Sequence, residues 1–209
     1  MSIRDDFAYI LSNYLAAKKQ PPIRLQVSSA FLSLGKKAQN LGAVRKFNNI
    51  LVTSFMGIGR MANVPWLALL DRKENSSTQT GVYCRFLFRA DMSGLYLTLN
   101  QGVGKTASRV PTWPRTFQDF KRDSSKVRED MIGINDRGFN FGLGIELRDK
   151  GSTGKAYEKS SVLYKFYYAK ALPLDDEIED DLRVLLNVYN HYVEEKKASH
   201  LHGNRDPGT

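Results

Sequence analysis

Two neighbouring stretches decide the fold of this 209-residue chain: Val64-Pro65-Trp66-Leu67-Ala68-Leu69-Leu70 and Val82-Tyr83-Cys84-Arg85-Phe86-Leu87-Phe88. The first is a short apolar run without polar alternation, which is typical of a buried strand. The second alternates and is rich in aromatic residues, and Leu95–Leu99 follows it after a Met-Ser-Gly turn. Together with a strand candidate over Ile50–Phe55, these stretches predict an antiparallel meander.

Helical patterns lie on both sides of the predicted meander. Residues 3–17 carry apolar side chains at helical spacing, and Pro21-Pro22 should end that helix. Residues 28–48 indicate a second helix or a helix pair. At the other end of the chain, three acidic residues after Pro173 begin a helix with an apolar stripe, where they suit the helix dipole.

The segment between the meander and the last helix mixes strand and loop patterns. We predict a polar, basic helix over residues 116–131, and a strand over 139–148, where apolar residues recur at every second position. A Gly/Ser/Lys loop over 150–155 should lead into a further strand over 160–169.

These elements predict an α+β fold with a curved, mainly antiparallel sheet, on which N-terminal helices and a C-terminal helix pack. We expect a helical layer over residues 1–48 and an α+β domain over 49–195, the two forming one domain. Residues 196–209 should be a flexible tail or the start of a linker to a further part of a longer protein.

The charge of the chain is unevenly distributed. The net charge is +9, to which residues 1–75 and 76–174 each contribute +7 and residues 175–209 contribute −5. A basic body favours polyanionic partners, of which nucleic acid is the commonest, although a basic protein without such a partner has the same composition.

The sequence also indicates the compartment. No stretch approaches the roughly 20 apolar residues that a membrane-spanning helix needs, and the N-terminus carries acidic residues where a signal peptide has an apolar core. A single cysteine, Cys84, excludes an internal disulfide framework and fits a reducing environment. We therefore expect a cytoplasmic protein.

One glycine-rich segment resembles part of a phosphate-binding loop, Gly102-Val103-Gly104-Lys105-Thr106. The complete motif has a further glycine five residues before the Gly-Lys pair, and this chain has Leu99 there. Pro111 and Pro114 also interrupt the helix whose N-terminus should hold the phosphates. We expect a basic loop rather than a site of nucleotide hydrolysis. A loop that contacts DNA phosphates is the intermediate alternative.

Catalytic and metal-binding patterns are absent from the sequence. The three histidines, His191, His200 and His202, have no Cys or acidic cluster beside them to complete a metal site. Cys84 lies in a predicted strand without a histidine at meaningful spacing, which favours a packed side chain over a nucleophile. We predict no catalytic residues, no metal and no cofactor.

The most specific signal is the order of four short motifs. Gly57-Ile58-Gly59 precedes Val64-Pro65-Trp66 and an apolar strand, Gly81-Val82-Tyr83 opens the next strand, and Leu99-Asn100-Gln101-Gly102 closes the following one. This order resembles the N-terminal DNA-binding domain of McrB-type, modification-dependent restriction proteins, over roughly residues 50–192.

The resemblance implies a specificity domain that recognises a modified base in duplex DNA, methylated cytosine above all, and flips it into an aromatic and apolar pocket. By position, Trp66, Tyr83 and Leu87 correspond to walls of that pocket. Flat walls replace the stacking that a flipped base loses, at about 1–3 kcal/mol for each aromatic contact. The alternative is that Trp66 and Tyr83 are core aromatics between sheet and helix.

The chain departs from the family pattern between the two turn glycines. The best-known member has an aromatic residue there, beside the flipped base, and this chain has Ile58, which packs against a base but stacks poorly. Arg60 is expected to fill the gap left in the duplex or to bind a phosphate. Asn63 is likewise expected to contact the DNA backbone or to intercalate. Further contacts to the DNA backbone are expected from five basic residues: Lys105, Arg109, Arg115, Lys121 and Arg122.

Two other functions stay open at this point. One is a nuclease or nucleotide-dependent enzyme with a scattered site. The other is an RNA-binding module, which fits the interleaving of lysines with Tyr157, Tyr164, Tyr167 and Tyr168. On the resemblance, this chain is no enzyme, and a separate nuclease or motor domain or subunit performs the cleavage.

Overall fold

The predicted α+β architecture is confirmed by a computed structural model, which describes residues 2–103, 125–142 and 144–203. The strands of the described residues are β1 (Ile50–Phe55), β2 (Trp66–Asp71), β3 (Val82–Phe88), β4 (Gly94–Gln101), β5 (Asn140–Phe141) and β6 (Ser161–Tyr168). The helices there are α1 (Ile3–Ala17), α2 (Pro21–Asn40), α3 (Gly42–Arg45), α4 (Ser125–Asp130), α5 (Ser152–Lys159) and α6 (Asp175–Gly203).

The sheet is antiparallel, with the strand order β1-β2-β3-β4-β6-β5. Its first four strands form the predicted meander, because strands that are neighbours in sequence are also neighbours in the sheet. The β1 edge is covered by a side chain of α2: the Gln39 amide donates to the Ile50 carbonyl at 3.1 Å and accepts from the Val52 N–H at 2.9 Å. This pairing blocks the edge against a further strand.

The N-terminal helices begin with clear signals. Ser2 and Asp5 form a reciprocal capping box at the start of α1. Pro21 and Pro22 occupy the first turn of α2, whereas the sequence predicted only that they end α1. Proline fits this position because the first N–H groups of a helix have no partner within the helix.

Three helices cover one face of the sheet. The Phe7 ring of α1 packs on Phe86 of β3 with centroids 5.0 Å apart, and the Tyr189 hydroxyl of α6 accepts from the Asp71 N–H at 2.9 Å. On this face Cys84 lies beside the Leu185 carbonyl. Because strand side chains alternate, Tyr83, Arg85 and Leu87 belong to the opposite face.

The strand predicted over residues 139–148 is wrong except for β5. Gly138 and Gly142 have φ values of +81° and +89°, and Arg148 has +56°, so the backbone cannot stay extended. Alternating burial is nevertheless present, since Ile145 and Leu147 are buried. The loop predicted over 150–155 is also wrong: α5 begins at Ser152 and buries Ala156, so tertiary packing overrides weak local propensity.

The structure bears on two further predictions, the basic helix over residues 116–131 and the tail over residues 196–209. Of the basic helix predicted over residues 116–131, α4 is the part that the structure describes, and residues 104–124 lie outside the described ranges. The last helix, α6, continues to Gly203, so residues 196–203 are helical where the sequence indicated a flexible tail. The Glu and Lys residues at positions 194–197 are strong helix formers, which explains the extension.

Candidate nucleic-acid interface

The loop between β1 and β2, residues 56–65, contains a tight turn that requires glycine. We call it the glycine loop. Gly57 has φ +111°, and a Cβ there would lie 2.1 Å from the Arg60 carbonyl oxygen. Gly59 also has a positive φ, +69°. The Ala62 N–H donates to the Met56 carbonyl at 2.7 Å, which closes the base of the loop.

Helices α1 and α2 hold the glycine loop from below. The Tyr14 hydroxyl lies 3.1 Å from the Met56 carbonyl and 2.9 Å from the Ala62 carbonyl, and burial raises its pKa, so it remains a donor. The Arg24 guanidinium donates to the Gly59 carbonyl at 2.7 Å. These contacts hold the loop against the two helices, because they place side-chain donors of α1 and α2 against three of its backbone carbonyls.

The tip of the glycine loop presents one apolar and one cationic side chain. Ile58 is 89% exposed, and Arg60 is also exposed. An apolar side chain held out so far by a rigid turn is a candidate contact surface rather than a core residue.

A cleft of about 630 Å³ opens beside this tip. One wall is the glycine loop with Phe55, and the other is formed by residues 149–157, including Tyr157. Asn63 joins the two walls, because its amide donates to the Asp149 carboxylate at 3.1 Å and accepts from the Lys18 ammonium at 3.0 Å. Partial burial lowers the pKa of Lys18, although Asp149 opposes that shift.

The residues predicted for the base pocket fall into two groups. Ile58 lines the cleft, but Trp66, Tyr83 and Leu87 do not. Tyr83 and Leu87 are fully buried and Trp66 is 8% exposed. Trp66 stacks on Phe55, with ring centroids 5.4 Å apart, so it lies directly behind one wall of the cleft.

Tyr83 occupies a closed position in the same layer. Its hydroxyl donates to the Thr78 carbonyl at 2.9 Å, and burial raises its pKa. The structure therefore brings Trp66, Tyr83 and Leu87 to one face of the sheet, beneath the cleft rather than around it.

The cleft walls Phe55 and Tyr157 are site residues that the sequence reasoning missed. The signal for Phe55 is its position as the last residue of the strand before the glycine loop, opposite the first residue of the next strand, since Phe55 pairs with Trp66. The sequence indicated Tyr157 only as one of the tyrosines that are interleaved with lysines over residues 155–170. That set is divided in the structure, since Tyr167 and Lys165 both bind the Asp181 carboxylate at 2.8 Å inside the core.

The remaining predicted backbone contacts cannot be placed. Lys105, Arg109, Arg115, Lys121 and Arg122 all lie outside the described residues, as does the chain from Gly104 onward in the glycine-rich segment. Gly102 is described, and a Cβ there would lie 2.3 Å from the Thr80 nitrogen. This glycine thus allows close packing between two backbones.

Groups that could support metal or nucleophilic chemistry are few in the described part of the chain. No cluster of three or more His, Cys, Asp or Glu residues within those ranges could hold a metal ion. Cys84 is fully buried, which raises the pKa of its thiol and disfavours the reactive thiolate. His191 is engaged in a hydrogen bond between its Nδ1 atom and the Asp130 carboxylate.

The helices of the described ranges differ from membrane-spanning segments. None of them combines the length and the apolar character that crossing a bilayer requires.

Comparison with known proteins agrees with the resemblance seen in the motifs. No curated protein matches the chain. Residues 9–194 match the family described as MrcB-like, N-terminal domain, which includes the glycine loop, the cleft and the whole sheet. This match supports a DNA-binding role in a restriction system. Because the match covers most of the chain, the protein belongs to the family of MrcB-like N-terminal domains.

Proposed function

We propose that this domain is the specificity module of a modification-dependent restriction system, and that it recognises a modified base, methylated cytosine, in duplex DNA. The base is flipped from the duplex into the cleft beside the glycine loop. A separate nuclease or motor domain or subunit, acting in the cytoplasm, performs the cleavage.

The single observation that carries this proposal is the pairing of an exposed loop tip with an adjacent cleft. Ile58 and Arg60 stand on a turn that Tyr14 and Arg24 hold in place, next to about 630 Å³ of open volume. Pockets of this size accept small ligands, and a flipped base is one. A rigid wedge beside a pocket is the arrangement that base flipping needs, since the wedge fills the gap that the base leaves.

The cleft walls suit a base in their chemistry. Phe55 and Tyr157 supply aromatic surface, and base–aromatic stacking contributes about 1–3 kcal/mol for each base. A 5-methyl group adds one buried carbon, which contributes on the order of 0.8 kcal/mol. The methyl group alone thus accounts for only a few-fold preference, and a larger one requires a fit that penalises an empty site.

The proposal is tested by equilibrium binding at two salt concentrations. The probes are matched duplexes that are unmodified, contain 5-methylcytosine or contain N6-methyladenine, together with single-stranded RNA. Tightest binding to the 5-methylcytosine duplex is the expected result. Equal binding to all duplexes overturns the proposal, tighter binding to RNA favours an RNA-binding module, and metal-dependent cleavage by this chain alone favours an enzyme.

Arg60 provides a second test of the interface. Arg60→Ala is expected to weaken binding and to reduce the slope of log K against log salt by about one, because one phosphate contact is lost. Arg72→Ala is the matched control, an exposed arginine at the other end of β2, roughly 20 Å along the strand. An unchanged slope in Arg60→Ala contradicts a role for Arg60 in phosphate contact.

A further inference from the structure

The centre of β3 carries a charged side chain where an apolar one is expected. Arg85 is 0% exposed and lies in register between Ala68 of β2 and Thr98 of β4. Its immediate sheet neighbours on this face are therefore small. The sequence reasoning missed this residue, although one arginine inside the apolar run Val82–Phe88 is the signal that could have found it.

The guanidinium of Arg85 has donors without a partner. Within the described ranges, its Nε and Nη2 atoms are buried and form no hydrogen bond. These two N–H groups point the same way along one edge of the guanidinium, the edge that binds two acceptors at once. A buried cation without a carboxylate is costly, and such orphaned groups call for an explanation.

Among the described residues, aromatic rings rather than carboxylates contact this cation. The Arg85 Cζ lies 4.2 Å from the centroid of the Tyr157 ring and 5.2 Å from that of Tyr83. These contacts offset part of the burial cost through the ring faces, but they leave the N–H edge unsatisfied.

A second orphaned donor lies on the same face of the sheet. Trp66 is paired with Leu87, two residues along β3 from Arg85, and its Nε1 has no partner among the described residues. Phe55 stacks on Trp66 and Tyr157 covers Arg85, and both rings are walls of the cleft. The unpaired donors thus lie one layer behind the walls that a ligand in the cleft would contact.

We propose that Arg85 determines the specificity of the proposed base pocket, by binding two adjacent acceptors on the edge of the flipped base. The inference rests on the proposed function. Cytosine presents the N3 and O2 acceptors side by side, thymine has a donor at N3, and adenine has an amino group beside N1. The edge of Arg85 therefore accepts cytosine and rejects thymine and adenine. Because the half-buried Tyr157 ring both lines the cleft and covers Arg85, the proposal requires this ring to shift until the base edge reaches the guanidinium, while its face still stacks on the base. The Trp66 N–H is available to a further acceptor.

The test compares three duplexes that differ only at one central pair: 5-methylcytosine·G, cytosine·G and thymine·G. The first and third carry the same methyl group and differ in the edge that Arg85 would read. The wild-type domain should bind 5-methylcytosine·G about tenfold or more tighter than thymine·G, as one bidentate contact provides. Arg85→Met should reduce that ratio to about one, and Arg85→Lys, which cannot bind bidentately, should give a ratio close to that of Arg85→Met.

The two proposals fail in different ways. If the wild-type domain does not distinguish 5-methylcytosine·G from cytosine·G, the proposed function is overturned and this inference with it. If it does, but Arg85→Met still prefers 5-methylcytosine·G over thymine·G, only the role of Arg85 is overturned.

Thermal stability distinguishes the proposed role of Arg85 from a purely structural one. Because removing an unpaired buried cation relieves a cost, Arg85→Met should unfold at the same or a higher temperature than wild type. A marked fall in melting temperature contradicts the proposal. If neither variant folds, the Nε–H resonance of Arg85 in the wild-type domain decides: it should shift on saturation with the 5-methylcytosine duplex, and an unchanged resonance overturns the inference.

Discussion

The glycine loop and the buried row of Trp66, Tyr83 and Leu87 both belong to the motifs on which the family resemblance rests. The two regions differ in exposure and in hydrogen bonding. The loop is exposed, yet each of its key carbonyls has a partner on α1 or α2. The row is buried, yet the Trp66 N–H has no partner among the described residues. In the part of the chain that the structure describes, the exposed region thus has partners for these carbonyls, and the buried region keeps a donor without one.

Under the proposed function, this difference separates two tasks, which are entering the duplex and discriminating between bases. An element that enters a duplex should not rearrange on contact, and the partners below the glycine loop provide that rigidity before DNA arrives. Discrimination between bases instead needs polar groups that are satisfied only by the correct ligand. The unpaired donors behind the cleft walls have that property, so the two regions are expected to respond differently to substitution.

The largest expected effect is on stability, from the buried row. Tyr83→Ala removes a fully buried aromatic side chain and should lower the free energy of unfolding by about 3–5 kcal/mol. Chemical denaturation measures this loss. Tyr168→Ala is the matched control, since Tyr168 is 64% exposed on β6 and its removal should cost little.

The opposite outcome for Tyr83 would contradict the distinction between the exposed glycine loop and the buried row. A Tyr83→Ala domain that is as stable as wild type, but has lost its preference for modified DNA, would mean that the phenol faces a ligand rather than the core. The buried row would then have to be regarded as part of the cleft wall itself.

The next effect concerns the shape of the glycine loop. Gly57→Ala forces a side chain into φ +111° and into contact with the Arg60 carbonyl, so the tip should be displaced and DNA binding should fall about tenfold or more. Gly59→Ala is the control in the same turn, because a Cβ there meets nothing within 4 Å and only the φ of +69° opposes it, at about 1–2 kcal/mol. Equal affinities for the two variants would contradict a reading role for the tip.

The sequence predicted most of the sheet because its strands depend on local patterns. The runs at Trp66–Asp71 and Val82–Phe88 are almost continuously apolar, and strands that follow each other in sequence pair with each other in the sheet. The prediction of a strand over residues 139–148 was wrong because burial of every second residue does not by itself show that the backbone pairs with a neighbouring strand. In that segment Leu147 reaches the core while its N–H binds the Glu158 carboxylate, a partner that no local pattern reveals.

The candidate site was predicted less completely, for a physical reason. The motifs placed Ile58 and Arg60 at a turn, and turn chemistry is local. They could not reveal whether Trp66 and Tyr83 face a cleft or the layer behind it, because that depends on residues 149–157, about 70 to 90 positions further along the chain. The same distance concealed Tyr157 and the contact between its ring and Arg85.

The smallest expected effect concerns how the far wall of the cleft is held. The Arg148 guanidinium donates to the Asp91 carboxylate at 2.7 Å. Burial raises the pKa of Asp91, but hydrogen bonds from Ser93 and Arg148 outweigh it and lower the pKa to about 2, from 3.8. A lowered folded-state pKa contributes stability above pH 3.8, and that contribution disappears as the pH falls towards 2.

Asp91→Asn should therefore be slightly less stable than wild type at neutral pH, and the two melting temperatures should converge between pH 4 and pH 2. The effect is small because both partners are partly exposed to solvent. A difference that stays constant down to pH 2 would mean that the Asp91 carboxylate does not anchor residues 146–148. In that case the far wall would depend on the Ala90 N–H to Leu147 carbonyl bond, at 2.8 Å, and on the Arg89 contact to the Glu146 carbonyl.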